Sequence, residues 1–213
     1  FSNTTLGWLL TSYGLAAGAL IFKTPLLILA GIVAAAAGIV NYLFGGQAFR
    51  RTLPLLLVFA VLILCVLLFP VLDWPLRQMA GVESARFLKS VGLASQLALS
   101  PPPDVKLFLL TERQTFVVAT ECNGFGLITS SLLLGLIRLL YKRAAWGWFA
   151  VLLPLCVIVA FVFNFLRIAG IVLLAPRFPQ HYHALHEIAG LIALYSGLGM
   201  VWLLTGWRKL ARS

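Results

Sequence analysis

The chain has 213 residues, 62% of them apolar and only 10% charged, with a mean hydropathy of +1.02. An ordinary soluble domain carries about 45–50% apolar and about 25% charged residues, so this composition excludes a water-soluble globule. The formal charge of +10 does not point to nucleic acid, because the basic residues punctuate apolar runs instead of clustering on a solvated face.

A helix that crosses a bilayer needs roughly 20 mainly apolar residues. Six runs qualify, at about 6–22, 25–44, 53–72, 122–140, 147–174 and 186–206. They predict an all-α integral membrane protein of about six transmembrane helices in a single polytopic domain, 1–213, with the lipid bilayer as its surroundings. The first run is read as a span, since no basic residue precedes it and no clear small-residue cleavage site follows. If the spans alternate, Arg50 and Arg51, then Arg138, Lys142 and Arg143, then Arg208, Lys209 and Arg212 share one side with no acid. The other side mixes its Lys and Arg residues with all six acids. Lys and Arg gather on the cytoplasmic side of short loops, which predicts a multi-pass protein of the cytoplasmic membrane with its C-terminus inside.

The long connection at about 73–121 is then extracytoplasmic. Its first part, Leu76 to Leu99, sets Leu76, Met79, Phe87, Leu88, Val91 and Ala98 among charges, a pattern suited to a small helix lying in the membrane interface. Pro101, Pro102 and Pro103 stop it. Val105 to Leu110 and Thr115 to Ala119 are β-prone runs around Thr111, Glu112, Arg113 and Gln114, which predicts a hairpin. Its second strand leads directly into Glu121 and Cys122, where it could present an extended peptide to the cysteine by edge pairing.

Cys65 and Cys156 lie inside apolar runs and read as packing residues. Cys122 differs, because it sits at the outer mouth of the fourth span, and a helix N-terminus with an arginine nearby favours the nucleophilic thiolate. Arg167 lies in an apolar run, where a charge near the bilayer centre costs about 2.5–3.5 kcal/mol on insertion scales and wants an anionic partner. His186 opens the last span at the same depth as Cys122 and can move protons near neutral pH. Gly124 would let a substrate backbone approach closely. The residues alone leave two other readings open. One is a non-enzymatic transporter or assembly subunit in which Arg167 fixes helix packing. The other is a metal-dependent hydrolase built on His181, His183 and His186 beside Glu187. That histidine spacing matches no familiar zinc helix motif, and neither metal nor cofactor is expected. Phosphate-binding loops, Cys-x-x-Cys and Gly-x-Ser-x-Gly elbows are absent from the sequence.

Three segments together resemble the exosortase/archaeosortase family of membrane cysteine transpeptidases. They are Glu121-Cys122-Asn123-Gly124 at the start of a span, Asn164-Phe165-Leu166-Arg167-Ile168 late in the next, and His186 with Ala189-Gly190 at the start of the last. Arg86-Phe87-Leu88 with Gly92 is similar to the family's region before the cysteine. Many members carry a small hydroxyl residue after the cysteine where this chain has Asn123. The resemblance implies cleavage of a C-terminal sorting signal, consisting of a short motif, a transmembrane helix and a basic tail, on other exported proteins. It implies Cys122 as nucleophile, Arg167 as stabiliser of thiolate and oxyanion, and His186 as acid and base. The thioester would pass to water or an amine acceptor. Glu121 and Glu187 are placed to tune His186 or Arg167.

Overall fold

A computed structural model gives the fold and describes residues 3–101, 105–112 and 114–206. Five α-helices dominate: α1 (Asn3–Phe22), α2 (Pro25–Ser90), α3 (Phe125–Tyr141), α4 (Trp146–Leu174) and α5 (Tyr182–Thr205). Among the described residues, five helical segments are long and apolar enough to cross a membrane, namely Thr4–Ile21, Pro25–Gln47, Arg51–Ser90, Trp146–Arg177 and Pro179–Thr205. α3 is apolar but shorter, at 17 residues. Large apolar side chains such as Leu20, Leu55 and Ile192 lie exposed along these helices. In water that would be ruinous; in hydrocarbon a helix apolar all round is at home. The chain is an all-α integral membrane protein carrying one small sheet.

The helices depart from the predicted spans in two places. The second and third spans belong to one helix, α2, interrupted at Gly45, whose backbone (φ 77°, ψ 172°) is not helical. The fourth begins at Phe125, so Cys122 precedes the helix in a short 3-10 turn, Thr120–Cys122.

Contacts divide the chain into two compact units, Phe1–Phe69 and Pro70–Ser213, with the boundary inside α2. In the first unit, α1 and the start of α2 are joined by polar side chains that satisfy one another. Asn41 Nδ2 donates to Thr4 Oγ1 (3.1 Å) and Thr5 Oγ1 (3.0 Å), and Ser12 Oγ donates to the Gly31 carbonyl (3.0 Å). Such bonds hold helices together where the surrounding lipid is as apolar as the side chains.

The second unit differs from expectation after the third span. No separate interfacial helix lies over Leu76 to Leu99; α2 runs unbroken to Ser90 and stops there. Its end is a Schellman cap, with Leu93 N–H on the Leu88 carbonyl (2.9 Å), Gly92 N–H on the Lys89 carbonyl (3.1 Å) and Gly92 at φ 85°. The freed residues form a strand, β1 (Ser95–Leu99), which joins β2 (Leu107–Thr111) and β3 (Thr115–Val117) in an antiparallel sheet of order β1-β2-β3. The expected hairpin is therefore two strands of three. Ser95 Oγ donates to the Ala85 carbonyl (2.8 Å) and ties β1 to the helix. Leu107, Leu109, Phe116 and Val118 bury one face of the sheet against Ala80, Ala85 and Leu88 of α2, the end of α4 at Ile168 and Val172, and Cys122 itself. α3, α4 and α5 pack on one another. At the end of α3 remote from Cys122, Lys142 Nζ donates to the Gly206 carbonyl (2.6 Å) and Arg138 stacks over Trp202 (3.5 Å).

Candidate active site

The Cys122 loop is held from two directions. Asn164, on α4 and only 2% exposed, donates from Nδ2 to the Cys122 carbonyl (2.9 Å). Asn123 Nδ2 donates to Asp73 Oδ1 (2.6 Å), while Asn123 Oδ1 accepts from the Phe125 backbone N–H (2.8 Å), one of the orphan donors at the start of α3. Asp73 is anchored in turn by an ion pair to Arg77, which lies over the Trp74 ring. Gly124 adopts φ 75°, and a Cβ there would sit 2.6 Å from Asn164 Cγ. Both the left-handed backbone and the absent side chain are required, so glycine is the residue that closes this turn.

Within that frame the three candidate residues converge. Cys122 Sγ lies 3.6 Å from His186 Nε2, and Arg167 Nη2 lies 3.3 Å from the same nitrogen. α4 delivers Arg167 about two turns before its end, and α5 delivers His186 in its second turn, so the antiparallel helices bring both to the mouth of α3. Gly190 allows the close fit of the guanidinium: a Cβ at that position would stand 3.3 Å from Arg167 Nη2.

Two grooves meet at this cluster. The first, of about 580 Å³, is lined by Gln114, Thr115 and Val117 of the sheet side, by Cys122, and by Tyr182 and His186. The second, of about 520 Å³, is lined by Gly124, Ser130, Asn164, Arg167, Glu187 and Leu191 among others. The thiol and imidazole thus open to one groove and the guanidinium to the other.

Other expectations fare differently. The Glu187 carboxylate lies 3.5 Å from His183 Nδ1, a largely exposed pair, and Glu187 lines the groove that also holds Arg167. The Glu121 side chain lies outside the described residues. Among the described residues, no three His, Cys, Asp or Glu side chains are gathered as a metal would need. Asp73, at the start of the long connection, carries no sequence signal that sets it apart from the other acids. Its partner Asn123 is 50 residues away, and only the fold joins them. Cys156 is buried against Gly135 and Cys65 is half-buried.

Neither a curated protein nor a solved structure matches the chain. The model of one family, described as transmembrane exosortase (Exosortase_EpsH), matches residues 1–204. With nearly the whole length matched, and with the expected cysteine, arginine and histidine side by side, the chain belongs to the transmembrane exosortase family.

Proposed function

We propose that the chain is a membrane cysteine transpeptidase that cleaves the C-terminal sorting signal of exported proteins, using Cys122 as nucleophile, His186 as acid and base, and Arg167 as charge stabiliser. As an exosortase it is a multi-pass membrane transpeptidase of the sorting-signal class; the residue roles go further. The observation that carries them is the convergence of Cys122 Sγ and Arg167 Nη2 on one nitrogen, His186 Nε2.

A guanidinium only donates hydrogen bonds, so its bond to Nε2 requires that nitrogen to be bare. The same lone pair accepts the thiol proton. Once Nε2 is protonated it no longer accepts from Arg167, whose N–H groups are released to the thiolate and then to the carbonyl oxygen it attacks. Proton transfer and charge stabilisation are thereby coupled at one atom. The thiolate adds to the scissile carbonyl carbon and the oxyanion forms beside Arg167. Collapse breaks the C–N bond, and His186 gives its proton to the departing amine. The resulting thioester is attacked by water or an acceptor amine, whose proton returns to Nε2 as the thiolate leaves. Asp73, Asn123 and Asn164 hold the loop so that Sγ stays within reach. The same three residue types serve soluble sortases on an unrelated fold, a convergence of role and geometry.

The site faces the extracytoplasmic side of the cytoplasmic membrane, because Arg138, Lys142 and Arg143 lie at the opposite end of α3 from Cys122. The test is co-expression with an exported reporter that ends in a motif, an apolar helix and an arginine cluster. The native chain is expected to remove the tail, and Cys122→Ala, Arg167→Ala and His186→Ala to leave it attached. Tail removal by Cys122→Ala at the native rate would end this reading.

A further inference from the structure

β3 is one of the two edge strands of the sheet, and its unused backbone groups can be assigned from the register. Val118 N–H donates to the Leu107 carbonyl (2.8 Å), and Thr111 N–H donates to the Gln114 carbonyl (3.0 Å). Phe116 pairs with Leu109 between them. Hydrogen-bonded pairs alternate with non-bonded ones along an antiparallel ladder, so 118/107, 116/109 and 114/111 are the bonded pairs. Thr115 and Val117 are the others, and their N–H and C=O groups point away from β2. No backbone partner meets that edge among the described residues. It opens on the groove of about 580 Å³ that also holds Cys122 and His186.

A strand edge of this kind is satisfied by one chemistry above others, the backbone of an extended peptide. The two outward residues are spaced two apart, roughly 6.6 Å along a strand, the repeat at which a partner strand presents its own N–H and C=O groups. The groove volume also falls within the range of about 300–1,000 Å³ usual for ligand clefts. We infer that the extended segment of the substrate adds as a fourth strand along β3, bonding to the backbone of Thr115 and Val117, and so delivers its scissile carbonyl to Cys122. This rests on the peptidase reading above and adds how the substrate is held. Backbone pairing is blind to side chains, so selection among motifs falls to the groove walls, where Gln114, Tyr182 and His183 stand.

The short edge explains itself on the same terms. β3 has three residues and exposes Thr115 and Val117, which is too little to template aggregation. It is enough to fix the register of a peptide whose reacting bond lies a few residues along.

The test uses acetyl-Ala-Ala-Ala chloromethyl ketone, which alkylates the thiol with loss of chloride, and its singly N-methylated analogues, with iodoacetamide as a reagent too small to pair. The rate of Cys122 modification is followed by mass spectrometry on the full-length protein in detergent or nanodiscs. Pairing is expected to make N-methylation matter at alternate positions, slowing the reaction by roughly fivefold to tenfold at one and hardly at the next, the effect of one lost hydrogen bond. Val117→Pro removes an outward N–H without touching the β2 ladder, and is expected to slow the peptide reagent by a similar factor while iodoacetamide reacts at the native rate. Because the N-methylated probes leave the protein unaltered, they decide the matter even if Val117→Pro misfolds. Equal rates for every N-methylated probe would overturn the strand-addition inference while leaving the thiol chemistry standing. An inert Cys122 toward iodoacetamide, together with an unchanged reporter, would instead remove the peptidase reading itself.

Discussion

The two compact units use polar side chains for opposite ends. In Phe1–Phe69, Asn41 bonds Thr4 and Thr5, and Ser12 bonds a carbonyl of the facing helix; the groups consume one another and the product is a helix pair. In Pro70–Ser213, Asn123 and Asn164 are equally buried, yet they hold a loop, and the loop holds a thiol against an imidazole. The same solvent and the same side-chain amide give packing in one unit and preorganisation in the other. What separates them is the segment being bonded. A helix satisfies its own backbone, whereas the Thr120–Gly124 turn leaves backbone groups that side chains must meet.

Substitutions test this contrast. The largest effect is expected at the thiol: Cys122→Ala should lower reporter processing on the order of 10⁴-fold, with the amount of folded protein unchanged, whereas Cys156→Ala and Cys65→Ala should leave processing near native. Arg167→Gln should come next, at roughly 10²–10³-fold, the cost of removing one preorganised oxyanion donor. A third class tests the clamp. Asp73→Ala and Asn164→Ala touch neither the thiol nor the imidazole, yet each should lower kcat up to about 10²-fold through misplacement of Sγ, with KM little changed. Asp73→Asn, which keeps an oxygen to accept from Asn123, should recover part of the loss; a purely structural Asp73 would show equal stability loss and no kcat effect specific to the alanine variant. The smallest effects belong to the first unit. Asn41→Leu should cost about 0.6 kcal/mol of stability, the average for an interhelical hydrogen bond in a membrane protein, and leave kcat within about twofold. A large kcat loss at Asn41 would erase the distinction between the units.

Much of the fold was legible because hydrophobic length is a strong signal in a membrane protein. Cys122, Arg167 and His186 were legible because each is an unusual residue at the end of, or within, an apolar run. Their mutual distances were not, since they depend on the packing of α3, α4 and α5. Asp73 was obscured by an ordinary context. β1 was obscured by a different competition: Leu76 to Leu99 has helix-compatible spacing throughout, and the stop lies in one residue, Gly92, whose left-handed cap ends α2 at Ser90. Pro70 and Pro75 lie inside α2 without ending it. Each deletes one backbone donor, which a long helix tolerates when its neighbouring bonds persist.

The most direct measurement is the capture of a covalent intermediate. The native chain is mixed with a tailed substrate, quenched in acid, digested, and the Cys122 peptide weighed. That peptide is expected to carry the acyl part of the cleaved substrate through a thioester that hydroxylamine releases, and to be unmodified when His186 is replaced by alanine. Tail cleavage proceeding with Cys122 never acylated, or with the acyl group on another residue, would contradict it.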